Sequence, residues 1–139
     1  MPQEPPQLAA LPHWWTRREV NFAEVQHVTQ VPPDTLYSWF RLIRAMRDGF
    51  GEKRRGEWAF SAHELYQFGL ITALYDLGIP IGVAQLNTVL DFAKEPHRPT
   101  DRLYTASRTG LAFTVIDAPG VFDVILNMMT RFMEVQGDA

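Results

Sequence analysis

Apolar residues recur at helical spacing in five stretches of the chain, with proline or glycine between one stretch and the next. In FAEVQHVTQV, Phe22, Val25, Val28 and Thr29 share a face, and Asn21 stands where a helix cap belongs. Val31-Pro32-Pro33-Asp34 stops this helix, because proline lacks an amide donor and restricts the residue before it. A second helix is expected from Pro33 or Asp34 through TLYSWFRLIRAM, with Leu36, Trp39, Phe40, Ile43 and Met46 as its apolar stripe. Gly49, Gly51 and Gly56 then punctuate DGFGEKRRGEWAF, a hairpin pattern whose second strand ends at Trp58 to Phe60.

Ser61 followed by Glu64 is a capping-box signature opening the apolar helix SAHELYQFGLITALYDLG, which Gly78 stops. Pro80 fits a first helical turn, and IGVAQLNTVLDFAKE continues as a helix up to Pro96. Beyond Pro99, LYTAS and LAFTVID flank Arg108-Thr109-Gly110, which reads as a second hairpin. Asp117 and Pro119 start a last helix whose stripe is Val121, Ile125, Met128, Phe132 and Val135. Its heptad-like spacing suits a helix–helix seam, and Met128, Met129 and Met133 suit an adaptable partner surface. At the other end, Pro2, Pro5, Pro6 and Pro12 mark residues 1–20 as a flexible arm, although at least one of Trp14 and Trp15 should pack onto the domain.

Composition narrows the class. The 139 residues, 46% hydrophobic and 21% charged, suit one ordinary globular domain with a small appendage. No apolar run is long enough to span a bilayer and no secretory leader opens the chain, so a cytoplasmic protein is expected. The absence of cysteine removes disulfides, thiolate metal sites and cysteine nucleophiles. His13, His27, His63 and His97 lack metal-ligand spacing, and no P-loop, GxGxxG or serine elbow is present. Asp117 and Asp123 read as a helix cap and a solvated acid rather than as paired catalytic carboxylates. The chain is therefore expected to be neither an enzyme nor a cofactor protein.

Charge changes the picture most. The net -3 hides a segment, 41–55, in which six cations face two acids, while the stretch from 61 onward carries five cations against nine acids. Lys53, Arg54 and Arg55, at the tip of the first hairpin, are placed to neutralise phosphates. Trp39, Phe40, Trp58 and Phe60 read as core aromatics before they read as a base-stacking platform.

Two short helices with a tight turn, a basic hairpin and two more helices follow the order of a winged helix-turn-helix. FAEVQHVTQV with its Thr35-Leu36, GEWAFSAHEL, and LITALYDLGIPIGVAQLNTVL resemble the MerR-type transcription regulators over residues 21–95. The resemblance implies a mainly α fold of four helices and a β-hairpin wing, with residues 96–139 as a small hairpin-helix extension. It implies a recognition helix in the major groove, carried here by Thr35, Tyr37, Ser38 and Arg41. Arg44, Lys53, Arg54 and Arg55 would meet the backbone.

The sequence departs from the family at Gln30, where glycine is usual, and at Tyr37 and Trp58, where arginines are usual. Relatives dimerise through a helix after the fourth; here Val121, Ile125, Met128, Phe132 and Val135 would have to serve, or would bind another transcription protein. Without cysteine, a thiolate metal sensor is excluded. The expectation is a homodimeric, nucleoid-associated regulator bound to double-stranded DNA. An excisionase-like DNA-bending factor and a protein-interaction adaptor with a degenerate winged helix stand as the other readings.

Overall fold

The expected helices begin at local start signals, a side-chain cap or, for the second, a proline in the first turn. A computed structural model of the chain describes residues 11–107 and 109–137. Pro2, Pro5 and Pro6 of the arm, and Arg108 of the second hairpin, lie outside the described residues. The elements are β1 (Arg18–Asn21), α1 (Phe22–Thr29), α2 (Pro33–Met46), β2 (Glu52–Arg54), β3 (Glu57–Ser61) and α3 (Ala62–Asp76). They are followed by α4 (Val83–Phe92), β4 (Leu103–Ala106), β5 (Phe113–Ile116) and α5 (Ala118–Val135). The result is a mixed architecture of five helices and two small antiparallel sheets among the described residues. None of these helices is long and apolar enough to cross a membrane.

The Asn21 side chain accepts from the Glu24 amide at 2.8 Å, and Glu24 accepts from the Asn21 amide at 2.9 Å, which satisfies two donors at the start of α1. α1 ends at Gln30, which takes the left-handed conformation (φ 58°). This is the position where the resemblance expects glycine, so the backbone keeps the turn while the side chain departs. Pro33 then opens α2, whose buried face is Leu36, Trp39, Phe40 and Ile43.

Residues 11–20 are not a flexible arm. Trp14, Trp15 and Val20 are buried in the core and Arg18–Asn21 is a strand, so residues 11–20 pack onto the domain. The first sheet is accordingly three-stranded, in the order β1-β3-β2, rather than a free two-stranded wing. Val20 lies opposite Phe60 in the register and both are buried. Trp15 is tied further in: its indole Nε1 donates to His63 Nδ1 at 3.0 Å. The other ring nitrogen, Nε2, then carries the proton and donates to the Ala93 carbonyl at 2.7 Å. Burial holds the His63 pKa below its ordinary value, outweighing that carbonyl.

Phe60 is the centre of the aromatic core. Its ring meets Phe22 and Phe40 at 5.3 Å, Phe68 at 5.5 Å and Phe50 at 6.1 Å, mostly edge to face. Gly51, at φ +72°, passes so close that a Cβ there would sit 2.9 Å from the Phe60 ring. α3 runs through the middle of the molecule, touching α1, α4, α5, β1, β3 and β5, and it is apolar nearly all round.

The hairpin-helix after residue 96 packs on that same core instead of standing apart. Leu103, Ile116, Phe122, Ile125, Met129 and Met133 join one buried cluster with the first sheet and α3. The expected stripe of α5 is out of phase with its buried face, which is Ala118, Phe122, Ile125, Met129 and Met133. Ile125 is thus spent within its own chain. Val121 and Phe132 are half-buried, and Met128 and Val135 are exposed. Gly69 of α3 sets the approach, since a Cβ there would meet the Val121 side chain at 3.1 Å.

Candidate nucleic-acid interface

The exposed face of α2 follows from its buried one. With Leu36, Trp39, Phe40 and Ile43 inward, Asp34, Tyr37, Ser38, Arg41, Leu42, Arg44 and Ala45 are left outside. Thr35 is half-buried in the first turn. Tyr37 is exposed, yet one side of its ring packs against Phe22 at 5.5 Å and Phe40 at 6.1 Å, which fixes where its hydroxyl can reach. Asp34 brings an acid to the helix N-terminus, favourable to the dipole and unfavourable to a phosphate.

The strand register divides the Lys53-Arg54-Arg55 run. Lys53 lies opposite Trp58, and residues directly opposite in an antiparallel pair share a face. Trp58 packs on Phe40 of α2 at 4.8 Å, and the Arg44 guanidinium lies over the Trp58 ring at 4.3 Å. Arg44, Trp58 and Lys53 therefore join α2 to the sheet in one surface. This gives a physical role to Trp58, one of the departures from the resemblance. Arg54 points to the opposite face, pairs with Glu52 at 2.8 Å and donates to the Arg18 carbonyl at 3.0 Å. Arg55 and Gly56 form the two-residue tip, both at positive φ (52° and 83°), the conformation that matches strand twist in a tight hairpin.

Ion pairing decides which cations remain available. Of the six between 41 and 55, Arg47 is engaged by Asp91 of α4 at 2.6 Å and Asn87 at 3.2 Å, and Arg54 by Glu52. Arg41, Arg44, Lys53 and Arg55 are exposed and make no ion pair among the described residues. The eight expected contact residues are therefore gathered only in part: Tyr37, Ser38, Arg41, Arg44, Lys53 and Arg55 are presented, whereas Arg54 is committed elsewhere and Thr35 is partly covered.

Arg18 and Glu64 were not expected at this site, and they hold the sheet in place. Glu64 accepts from the Ser61 amide at 2.8 Å as the return half of its capping box. It also takes a bidentate pair from Arg18, with both contacts at 3.1 Å, and a bond from the Gly51 amide. Arg18 reaches on to the Gly49 carbonyl. One carboxylate thus joins β1, the loop before β2 and the start of α3. The capping half is legible in Ser61 and Glu64; Arg18 stands 46 residues earlier with no local signal.

The chain matches no protein-family model, no curated protein and no solved structure.

Proposed function

We propose that α1, α2 and the first sheet work as a winged helix-turn-helix that binds double-stranded DNA, with α2 as the recognition helix and the β2–β3 turn as the wing. The carrying observation is the Arg44 guanidinium over Trp58, which stands opposite Lys53 in the strand register. This joins the exposed face of α2 to the sheet, and Arg41, Arg44, Lys53 and Arg55 along them make no ion pair among the described residues. Lys53 and Arg55 sit on the sugar-phosphate backbone beside the groove that α2 enters, and Arg44 reaches the adjacent phosphates. Tyr37, Ser38 and Arg41 face the base edges, where arginine reads guanine by two hydrogen bonds. The role that follows is sequence-specific transcription regulation on the nucleoid, in line with the MerR-like resemblance.

Fluorescence anisotropy with labelled genomic duplexes across a salt series tests this. Binding should fall steeply with salt, and changing Lys53 and Arg55 together to alanine should lower the salt slope by about 2 while weakening all sequences alike. Arg41→Ala should flatten preference among sequences. Binding that is absent at low salt, or indifferent to both sets of changes, would overturn the proposal. Arg54→Ala serves as the internal contrast and should change affinity least among the wing cations.

A further inference from the structure

The second hairpin has an outward face built for contact with something apolar. In its register, Leu103 lies opposite Ile116, Tyr104 opposite Val115, and Ala106 opposite Phe113. Leu103 and Ile116 point inward and are buried. Opposed pairs alternate between faces, so Tyr104, Val115, Ala106 and Phe113 share the outer one. Tyr104 is 59% exposed, Phe113 71% and Val115 47%, with Leu111 at the tip 89% exposed. Val124 of α5, 58% exposed, lines the same cleft as Val115 and extends the face onto the helix. The four outward strand positions carry no charge.

Those five residues leave roughly 600 Å² in water, most of it apolar, which is near the upper end of the largest patches that monomers tolerate. A stable interface takes about 800 Å² from each partner, about 65% apolar in homodimers, so about 520 Å² of apolar surface per copy is required. The apolar part of this face comes close to that need. We infer that its occupant is a second copy of this chain, the two hairpins packing outer face to outer face. A twofold axis lying between the two hairpins, parallel to both sheets, sets the same face against itself, and an uncharged face meets its like with no like-charge repulsion. A two-stranded hairpin is marginal alone, and the pairing turns two of them into a two-layer sandwich. This places the contact between copies on the hairpin and not on the α5 stripe, and it does not rest on the DNA reading.

The test is made without DNA, so that its failure and a failure of DNA binding are separate results. Sedimentation velocity of the full chain over micromolar concentrations should show a monomer–dimer equilibrium. Phe113→Asp with Val115→Asp should raise the dimer dissociation constant at least about thirtyfold while leaving the circular dichroism spectrum intact. If that pair of changes prevents folding, Tyr104→Lys alone should weaken the dimer in the same direction. Because the chain contains no cysteine, Phe113→Cys adds a single thiol, which should cross-link copies on mild oxidation, whereas Val135→Cys on α5 should not. A wild-type chain that stays monomeric, a folded charged variant that remains dimeric, or preferential cross-linking through residue 135 would overturn the inference.

Discussion

The described residues contain two antiparallel hairpins of similar length, and they are built in opposite ways. β2–β3 gains a third strand, covers its inner face with Phe60, and carries charge at its tip. β4–β5 stays two-stranded, covers its inner face with only Leu103 and Ile116, and carries its large apolar groups outside. The first is anchored in the aromatic core and meets the solvent with cations; the second is lightly anchored and meets it with rings. The lesson is that strand pattern alone does not say what a hairpin is for. Which face the core occupies, and what remains on the other, decides the chemistry of its partner.

The largest effect should separate the two hairpins by stability. Phe60→Ala removes the centre of a five-ring cluster and should cost about 3–5 kcal/mol in urea unfolding. Phe113→Ala, measured at concentrations where the chain is monomeric, should stay within about 0.5 kcal/mol. Similar costs for the two would break the comparison, because they would place Phe113 inside a packed environment of its own.

The next effect concerns how each region is tied down. Glu64→Gln loses the charge that holds Arg18 and two backbone amides, and should cost about 2 kcal/mol. Amide exchange should quicken at Gly51 and Ser61 first. Asp117 caps α5 through one bond to the Gly120 amide, at 3.0 Å, so Asp117→Ala should cost only about 1 kcal/mol. Reversal of this order would show that the second region is the more firmly held.

Acid should loosen the N-terminal segment through His63. Its pKa in the folded chain lies below the ordinary 6.5, so the unfolded chain binds that proton more readily. The stabilisation is complete above about pH 6.5 and is lost progressively as the pH falls below it. Protonation would put a second donor against the Trp15 indole N–H. Thermal unfolding from pH 7.5 to 5 should show the wild-type Tm falling more steeply than that of His63→Gln, with Trp15 fluorescence changing over the same range. Parallel slopes would assign the acid sensitivity to other groups.

These contrasts also mark what could be read from the residues. The helices were legible because their ends are local: Asn21 with Glu24, Ser61 with Glu64, Pro33, and Asp117 with Pro119 all lie within one turn of what they cap. β1 was not, because Arg18-Glu19-Val20-Asn21 has one apolar side chain and looks like part of an arm until Phe60 is placed beside Val20. α5 has apolar residues on most of its circumference, so periodicity along the helix alone does not say which of them meet the core, and the expected stripe shares only Ile125 with the buried face. At the candidate interface, the basic run was visible but its division was not. Which of Lys53, Arg54 and Arg55 shares a face with α2 is a matter of register, and Arg54 is withdrawn by Glu52 only once the strand forms.

The smallest effect lies in α3, the helix that serves both regions. Tyr66 packs its ring on Phe122 at 5.3 Å and beside His63 at 5.7 Å, yet its buried hydroxyl has no hydrogen-bond partner among the described residues. Burial pushes its pKa well above the ordinary 10, so the hydroxyl stays protonated and its desolvation goes uncompensated. Tyr66→Phe keeps the ring and removes that cost. It should stabilise the chain by about 1 kcal/mol and raise Tm by about 4 °C. A loss of similar size would mean that the hydroxyl is satisfied by water reaching the α3–α5 contact. That contact would then be wetter than the Phe60 cluster on the other side of the same helix, and the contrast between the two regions would extend into their cores.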